Sequence, residues 1–548
     1  MGALPRWPAA ILAVVAAVLF VPTVRFGFVY DARCQILTDT FLFQPRHWFD
    51  VLTGRVLAMD VIDFNRPLQL ASLMLDAAVW GHDPFGFHLT SVLFHAANVA
   101  LAWLIVRELL AIPPVGEGPG PSLGDEAVVE SGPRRQIRLA LAMAATAVFA
   151  VHPLVAESVC EPTYREDLLV TCFSLLAILT AMRHDGSRAG LDVGRAVVCI
   201  GCCLLGIAAK ESAAATPVLL AAFWWLFRRR DEGRFWGLVV VGSTLAVAMF
   251  LVVRFALDPT PAAINDEQPG YLGGSLGAAM LILPRILAFY AQLIVAPVNL
   301  CADYGGESIR HLALPTALAA LLGIAAAAAL AARRDRRLLF AYAMILLPLM
   351  PVANVVPIFR PFADRYLYFP LVGVALALAC LADTACNASR DTSFGNSWMA
   401  PRSRRLALVG SLVALVVLAL ACRERQRVWA DSLALWSDTF AKNPGSPTAA
   451  INAAMAFSDA GRLDEAEVAA QRAILLTGGN AVSFFATLAM ILDKQGRPDV
   501  AGRALKKALE LPLMADPDEL VVRLYMEPDV ARRYRALLER QGILPPAR

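Results

Sequence analysis

Apolar runs of roughly 17–25 residues recur through the first three quarters of the chain, each long enough to cross about 30 Å of hydrocarbon. Inside hydrocarbon a backbone must satisfy its own N–H and C=O groups, and runs of this length do so as helices. The 548 residues are 58% hydrophobic and 17% charged, which excludes an ordinary soluble enzyme of this size. The expected fold class is therefore all-α, a polytopic membrane protein. The net charge of +3 does not point to nucleic acid, because the basic residues sit in short clusters between apolar runs. The first run, Ala9 to Val24 after Arg6, has the look of a signal peptide but lacks a small-x-small site before Arg25. An uncleaved first helix is expected.

Arginine clusters set the expected topology. They are Arg134, Arg135 and Arg138; Arg183, Arg188 and Arg195; Arg228 to Arg230 with Arg234; Arg333, Arg334, Arg336 and Arg337; and Arg402, Arg404 and Arg405. Placing all of them in the cytoplasm satisfies the positive-inside rule. The implied spans lie near 8–24, 84–109, 137–151, 167–183, 195–209, 212–228, 235–255, 311–332, 337–352, 366–385 and 405–422. Residues 275–297 are apolar but carry Pro284-Arg285 and end at Pro297. A full crossing there would move the Arg333 cluster outside, so a re-entrant or in-plane helix on the outer side is expected. That makes about eleven crossings in the inner (cell) membrane, N-terminus inside and C-terminus outside. Residues 110–133 and 386–404 read as cytoplasmic linkers.

The ten cysteines show no metal-ligand spacing. Cys199, Cys202 and Cys203 lie in an apolar run and are expected to pack as small hydrophobes, while Cys34, Cys160 and Cys301 fall outside and would permit a disulfide that no pattern demands.

From about Arg423 the composition turns soluble, dividing the chain into a membrane domain, 1–422, and an extracytoplasmic domain, 423–548. Gly461 and Gly496 are followed at matched distances by Ala466 and Ala501, then by Ala473 and Ala508, an offset close to the tetratricopeptide period. Small residues let paired helices approach and the glycines turn the chain between them. Trp429 to Pro444 reads as a degenerate preceding repeat and 515–540 as a capping helix. The alternative is a generic helical hairpin tail.

Ionisable groups gather where the spans end on the outer side. The 25–83 loop holds Asp31, Arg33, Asp39, His47, Asp60, Asp63 and Arg66, with Pro67 starting an interfacial helix that ends at Trp80. His152, Glu157, Arg165, Glu166 and Asp167 occupy the next outer turn, and Lys210 with Glu211 the one after. Asp303 and Tyr304, then Arg360, Asp364 and Arg365, complete the set. Taken singly, each charge can be an interfacial anchor or half of a structural pair. Taken together they describe an outward-facing polar cavity suited to transfer from an anionic lipid carrier. Cations would hold the leaving phosphate, and a carboxylate, Asp31, would take the proton from an incoming hydroxyl.

The motifs sharpen this. Phe28-Val-Tyr-Asp31, Asn65-Arg66-Pro-Leu and Asp83-Pro-Phe-Gly-Phe-His88 are followed by Val151-His152-Pro, Glu157, Arg165-Glu-Asp167, Lys210-Glu211, Asp303-Tyr304 and Asp364-Arg365-Tyr-Leu-Tyr368-Phe-Pro370. In this order the chain resembles the transmembrane-and-tetratricopeptide-containing protein O-mannosyltransferases. The resemblance implies a GT-C glycosyltransferase fold, a polyprenyl-phosphate sugar donor, a Ser or Thr hydroxyl of a protein as acceptor, and inversion at the sugar carbon. It places the catalytic acid at Asp31, implies donor-phosphate contacts at Arg66, Lys210 and Arg365, and leaves His152, Glu157, Arg165, Asp167, Asp303 and Asp364 as further polar groups of the cavity. The family usually carries a second acid after the first, and here that position is Ala32. No metal or other cofactor is implied. The competing readings are a non-catalytic membrane anchor displaying the repeats and a transporter or flippase, since broken helices and buried charge also suit transport.

Overall fold

Asp83 and Pro84 open the helix on which the apolar part of the molecule is hung. The Asp83 carboxylate accepts from the Phe85 amide at 3.0 Å and Pro84 occupies the first turn, where its missing N–H costs nothing. The helix then runs from Pro84 to Leu110 over 27 residues, about 40 Å at the usual rise of about 1.5 Å per residue. Trp7–Phe20, Gly132–Val151 and Arg165–Met182 pack around it, burying Phe20, Val99, Trp103, Phe149 and Leu175 in one apolar core. In this computed structural model the described residues are 7–38, 40–59, 61–112, 132–184, 189–227, 233–257, 271–309, 312–333, 335–354, 358, 360, 362–388, 401–479, 481–510 and 528–544. Every regular element among them is helical.

Buried arginines tie both ends of this bundle, while its middle holds a small buried polar cluster of His95, Asn98 and Tyr368. At one end the Phe87 carbonyl accepts from Arg165 at 2.7 Å; at the other the Leu110 carbonyl accepts from Arg337 at 3.3 Å. Arg337 is almost wholly buried, forked onto Asp335 and paired with Asp383 at 2.9 Å, while Arg138 reaches Asp383 at 3.0 Å. This lock ties the ends of four helices, Pro84–Leu110, Gly132–Val151, Arg336–Leu346 and Pro370–Ala388. It explains why some of the arginines expected only as topological markers sit inside the protein. Gly373 lets Pro370–Ala388 come down on Arg336–Leu346, since a Cβ there would stand 2.8 Å from the Ala341 carbonyl.

Among the described residues, five helices are long and apolar enough to cross a membrane: Trp7–Arg25, Pro84–Leu110, Asp192–Ala209, Gly233–Leu257 and Leu276–Val295. Arg135–Val151 with Pro153–Cys160 is a pair bent by 50°. Residues 275–297, expected as a re-entrant or in-plane helix, hold one continuous helix, Leu276–Val295, with Pro284 inside it. One expectation changes. The run expected to span at 337–352 is helical only over Arg336–Leu346, 11 residues or about 16 Å at about 1.5 Å each. Pro348 removes a backbone donor and ends it in a single tight turn, Leu347–Leu349.

Pro401–Val428 is a single helix that continues through residue 422, so the apolar-to-polar change falls inside a helix and not at a linker. Beyond it the matched glycines turn the chain as their spacing predicts. Gly461 and Gly496, both at φ 75°, separate Pro447–Asp459 from Leu463–Leu476 and Val482–Lys494 from Pro498–Leu509. Ala466, Ala473, Ala501 and Ala508 are fully buried between the paired helices. The preceding segment forms one helix, Ser432–Lys442, and the chain closes on Pro528–Arg540. Among the described residues no cysteine forms a disulfide. Asp39, Asp60, Arg188, Arg228 to Arg230, Arg334 and most of 110–133 and 386–404 lie outside the described residues, as do 515–527.

Candidate functional site

The site is built on a turn that a tyrosine rarely makes. Val29 is extended, and Tyr30 then adopts φ 51°, the left-handed region, which swings the chain into the short helical turn Tyr30–Ala32. Asp31 is exposed at this corner and accepts a hydrogen bond from the Tyr164 hydroxyl at 2.8 Å. Behind it the Ala32 amide donates to the Glu161 carboxyl at 3.0 Å, and the Thr163 hydroxyl donates to the same oxygen at 2.7 Å. Glu161 is fully buried. Burial pushes its carboxyl well above the usual range, and the Asp31 charge pushes it the same way.

The face of Tyr164 carries the next group. Arg365 lies over its ring at 4.0 Å and over Tyr366 at 5.2 Å. The Arg365 guanidinium and amide both donate to Glu157, at 2.5 and 3.1 Å, yet its Nε is buried without a partner. One aromatic ring thus joins an exposed carboxylate to a buried cation. Lys210 also stands over Tyr366, at 5.2 Å, bonded to Asp167 at 2.7 Å and to Glu166 at 2.9 Å. Lys210 and Arg365 line one narrow pocket, whose wall mixes Val170, Leu219, Pro348 and Phe369 with the polar Thr171, Ser174 and Thr216.

Arg66 extends the charge outward. It pairs with Glu166 at 2.5 Å and Asp63 at 3.1 Å, and lies 3.6 Å from Glu211, which also binds Arg254 at 2.7 Å. Asp63 receives the Gln35 side-chain amide at 3.2 Å and that of Gln69 at 3.3 Å. Burial, only partly offset by Arg66, lifts Asp63 from 3.8 to about 6. Raising an acid's folded pKa penalises the folded state once the acid ionises. The penalty is absent below pH 4 and complete above pH 7, reaching about 3 kcal/mol for a shift of this size. Asp63→Asn should therefore raise the thermal midpoint at pH 7.5 and leave it nearly unchanged at pH 4. An equal gain at both values would show that charge is not the cause.

On the other flank Arg360 pairs with Asp303 at 2.5 Å and lies over the Tyr30 ring at 4.9 Å. Asp364 accepts from Tyr304 at 2.6 Å and from Arg425 at 3.1 Å, and burial pushes its carboxyl up. Of the residues singled out from sequence, Asp31, Glu157, Arg365, Lys210, Asp167 and Arg66 are linked into one constellation, with Asp303 and Asp364 beside it. Two are placed elsewhere. Arg165 is fully buried, held by Asp76 at 2.6 Å, Ser72 at 2.8 Å and the Phe87 carbonyl, so it braces helices and lines no cleft. His152 caps the turn after its own helix and donates through Nε2 to the Ile294 carbonyl at 3.1 Å, a helix-to-helix tie. Tyr164, Glu161, Tyr366 and Arg425 escaped sequence reasoning. Tyr164 and Glu161 had one available signal, their place in the turn between Glu157 and Arg165.

Among the described residues no cluster of histidine, cysteine and carboxylate side chains is placed to hold a metal ion. What the arrangement offers is an exposed carboxylate beside buried cations, with a narrow pocket of mixed polar and apolar lining against those cations.

No family model matches the chain. Its curated relatives are protein O-mannosyl-transferases. Tmtc1 of Drosophila melanogaster is 24% identical over 321 residues, covering 54% of this chain and 34% of that protein. Tmtc2 of the same organism is 25% identical over 307 residues, covering 54% and 30%. TMTC4 of Homo sapiens is 21% identical over 507 residues, covering 83% and 64%. The match thus spans about a third of the length of the Drosophila relatives. Among solved structures, ArnT from Cupriavidus metallidurans bound to undecaprenyl phosphate is 15% identical, covers 95% of this chain and 88% of its own, and has a TM-score of 0.39, a loose likeness.

Proposed function

We propose that the chain is a membrane-embedded glycosyltransferase that moves a mannose-like sugar from a polyprenyl phosphate to a Ser or Thr hydroxyl of a protein outside the cytoplasm. The observation that carries the reading is the Asp31–Tyr164–Arg365 linkage, a base and a cation on the edge and face of one ring. Asp31 takes the hydroxyl proton as the oxygen attacks the sugar carbon, and the sugar–phosphate bond breaks on the opposite face, which inverts the centre. Arg365 and Lys210 receive the phosphate, Arg66 supports them through Glu166, and the prenyl chain lies along the apolar part of the pocket wall. The relatives' names favour a hydroxyl-bearing protein as acceptor. The C-terminal helix pairs, read as a tetratricopeptide solenoid, would hold it.

In this reading residues 1–422 form a GT-C domain of about eleven crossings with the site on the periplasmic face of the inner membrane, and 423–548 the extracytoplasmic repeats. Arg254 and Ile294 both meet groups at the site end of the bundle. The intervening sequence carries Asp258, Asn265, Asp266 and Glu267, too polar to cross. We therefore keep Leu276–Val295 on the outer side.

The cations of the pocket are already paired with carboxylates, so donor binding is an exchange of partners. Purified protein in lipid nanodiscs should bind a short-chain polyprenyl phosphate. Lys210→Gln should weaken that binding by roughly tenfold or more, the loss of one charge-assisted contact, and Asp167→Asn should strengthen it by freeing Lys210. Neither substitution changing affinity would place the phosphate elsewhere.

A further inference from the structure

The C-terminal helices do not hang free of the site; they grip the turn that presents Asp31 at three successive points. The Gly27 amide donates to the Ala430 carbonyl at 3.2 Å. The Tyr30 and Trp436 rings meet at right angles, 4.9 Å apart. The Arg33 guanidinium donates to Ser432 at 3.2 Å and to Asp459 at 3.4 Å. The tail also reaches the tyrosine that bonds Asp31, because Trp429 meets Tyr164 edge-on at 6.5 Å. Trp436 is 3% exposed although it comes from a short helix of the polar region. Its burial is provided by the membrane domain's loop as well as by its own neighbours.

Tyr30 is the residue in this loop that most needs support. A non-glycine side chain at φ 51° persists only where surrounding contacts over-determine it. Here Trp436 closes one side of its ring, Arg360 lies over a face at 4.9 Å, and Tyr164 meets it edge-on at 6.0 Å. If Tyr30 relaxed to negative φ, the next residue would swing, and that residue is Asp31.

We propose that Trp436 is a positioning residue for Asp31: packed on Tyr30, it holds the left-handed turn that sets the carboxylate against the Tyr164 hydroxyl. The tail is then part of the working site as well as a place for partners to bind, and anything that shifts the Ser432–Lys442 helix alters the base. This rests on the proposed role of Asp31, and the test separates the two.

Full-length Trp436→Ala and Trp436→Phe are compared with wild type in nanodiscs by hydrogen exchange and by turnover. Turnover is read with a labelled polyprenyl-phosphate mannose and a Ser/Thr peptide. Trp436→Ala should speed amide exchange across residues 27–33 by roughly tenfold or more while the Leu463–Leu509 helices stay protected. It should lower kcat by roughly 10²-fold through misplacement of the base, with the donor KM unchanged because Lys210 and Arg365 are untouched. Trp436→Phe, which keeps an aromatic ring against Tyr30, should recover most of both. Unchanged protection at 27–33, or faster exchange with a normal kcat, would overturn the proposal. Normal turnover in Asp31→Asn would instead remove the role of Asp31, and the exchange measurement would still decide whether Trp436 holds the turn.

Discussion

Arg165→Ala should destabilise the protein by roughly 3–5 kcal/mol, the cost of removing one partner from a buried ion pair. Asp76 is nearly as buried as Arg165 and keeps only the Thr90 hydroxyl, at 2.7 Å, once the guanidinium is gone. The Ser72 hydroxyl loses the guanidinium in the same step, and the Phe87 carbonyl keeps only the longer bond from the Ser91 hydroxyl, at 3.3 Å, among its side-chain donors. Arg165→Met, which restores volume without charge, should be nearly as damaging, because stranding the Asp76 carboxylate costs more than emptying the space beside it. Pairing it with Asp76→Leu should recover most of the loss, since replacing a whole buried pair by well-packed apolar groups is often neutral. Thermal unfolding of the three variants in one lipid composition measures this. A fully stable Arg165→Met would mean that the arginine serves a ligand and not the fold.

That arginine shows where sequence reasoning stops. Charges at the ends of apolar runs are expensive there unless used, so the outer ionisable groups stand out together, and only the family resemblance separates Arg66, Lys210 and Arg365 from the rest. Sequence position puts Arg165 in the same turn but does not say which way it faces. It opens the Arg165–Met182 helix toward Asp76, on a helix that no spacing pairs with it. Tyr164 is the opposite case. An aromatic residue at a helix start reads as packing, and only its placement between Asp31 and Arg365 brings it into the proposed site.

The same contrast runs through the fold. The repeated glycine and alanine spacing in the tail is local, and it predicts two helix pairs that form as expected. The run at 337–352 is apolar throughout, and hydropathy does not register that Pro348 and Pro351 stop the helix after Leu346. Where the tail docks is likewise invisible in sequence. Trp436 and Arg425 belong by composition to the polar region, yet they contact Tyr30 and Asp364 respectively.

The central claim is that Asp31 is the proton acceptor of a sugar transfer, and Asp31→Asn tests it most directly. Asparagine keeps the shape and can still accept from Tyr164, but it takes no proton. Transfer of label from a polyprenyl-phosphate mannose to a Ser/Thr peptide should fall by roughly 10²–10⁴-fold, the usual contribution of a general base. Binding of the donor should persist, since the cations proposed to hold it, Arg365 on the face of Tyr164 and Lys210 over Tyr366, are untouched. Thermal stability should be close to wild type, because the carboxylate is exposed and loses no buried partner. Wild-type turnover by a folded, donor-binding Asp31→Asn protein would contradict the account.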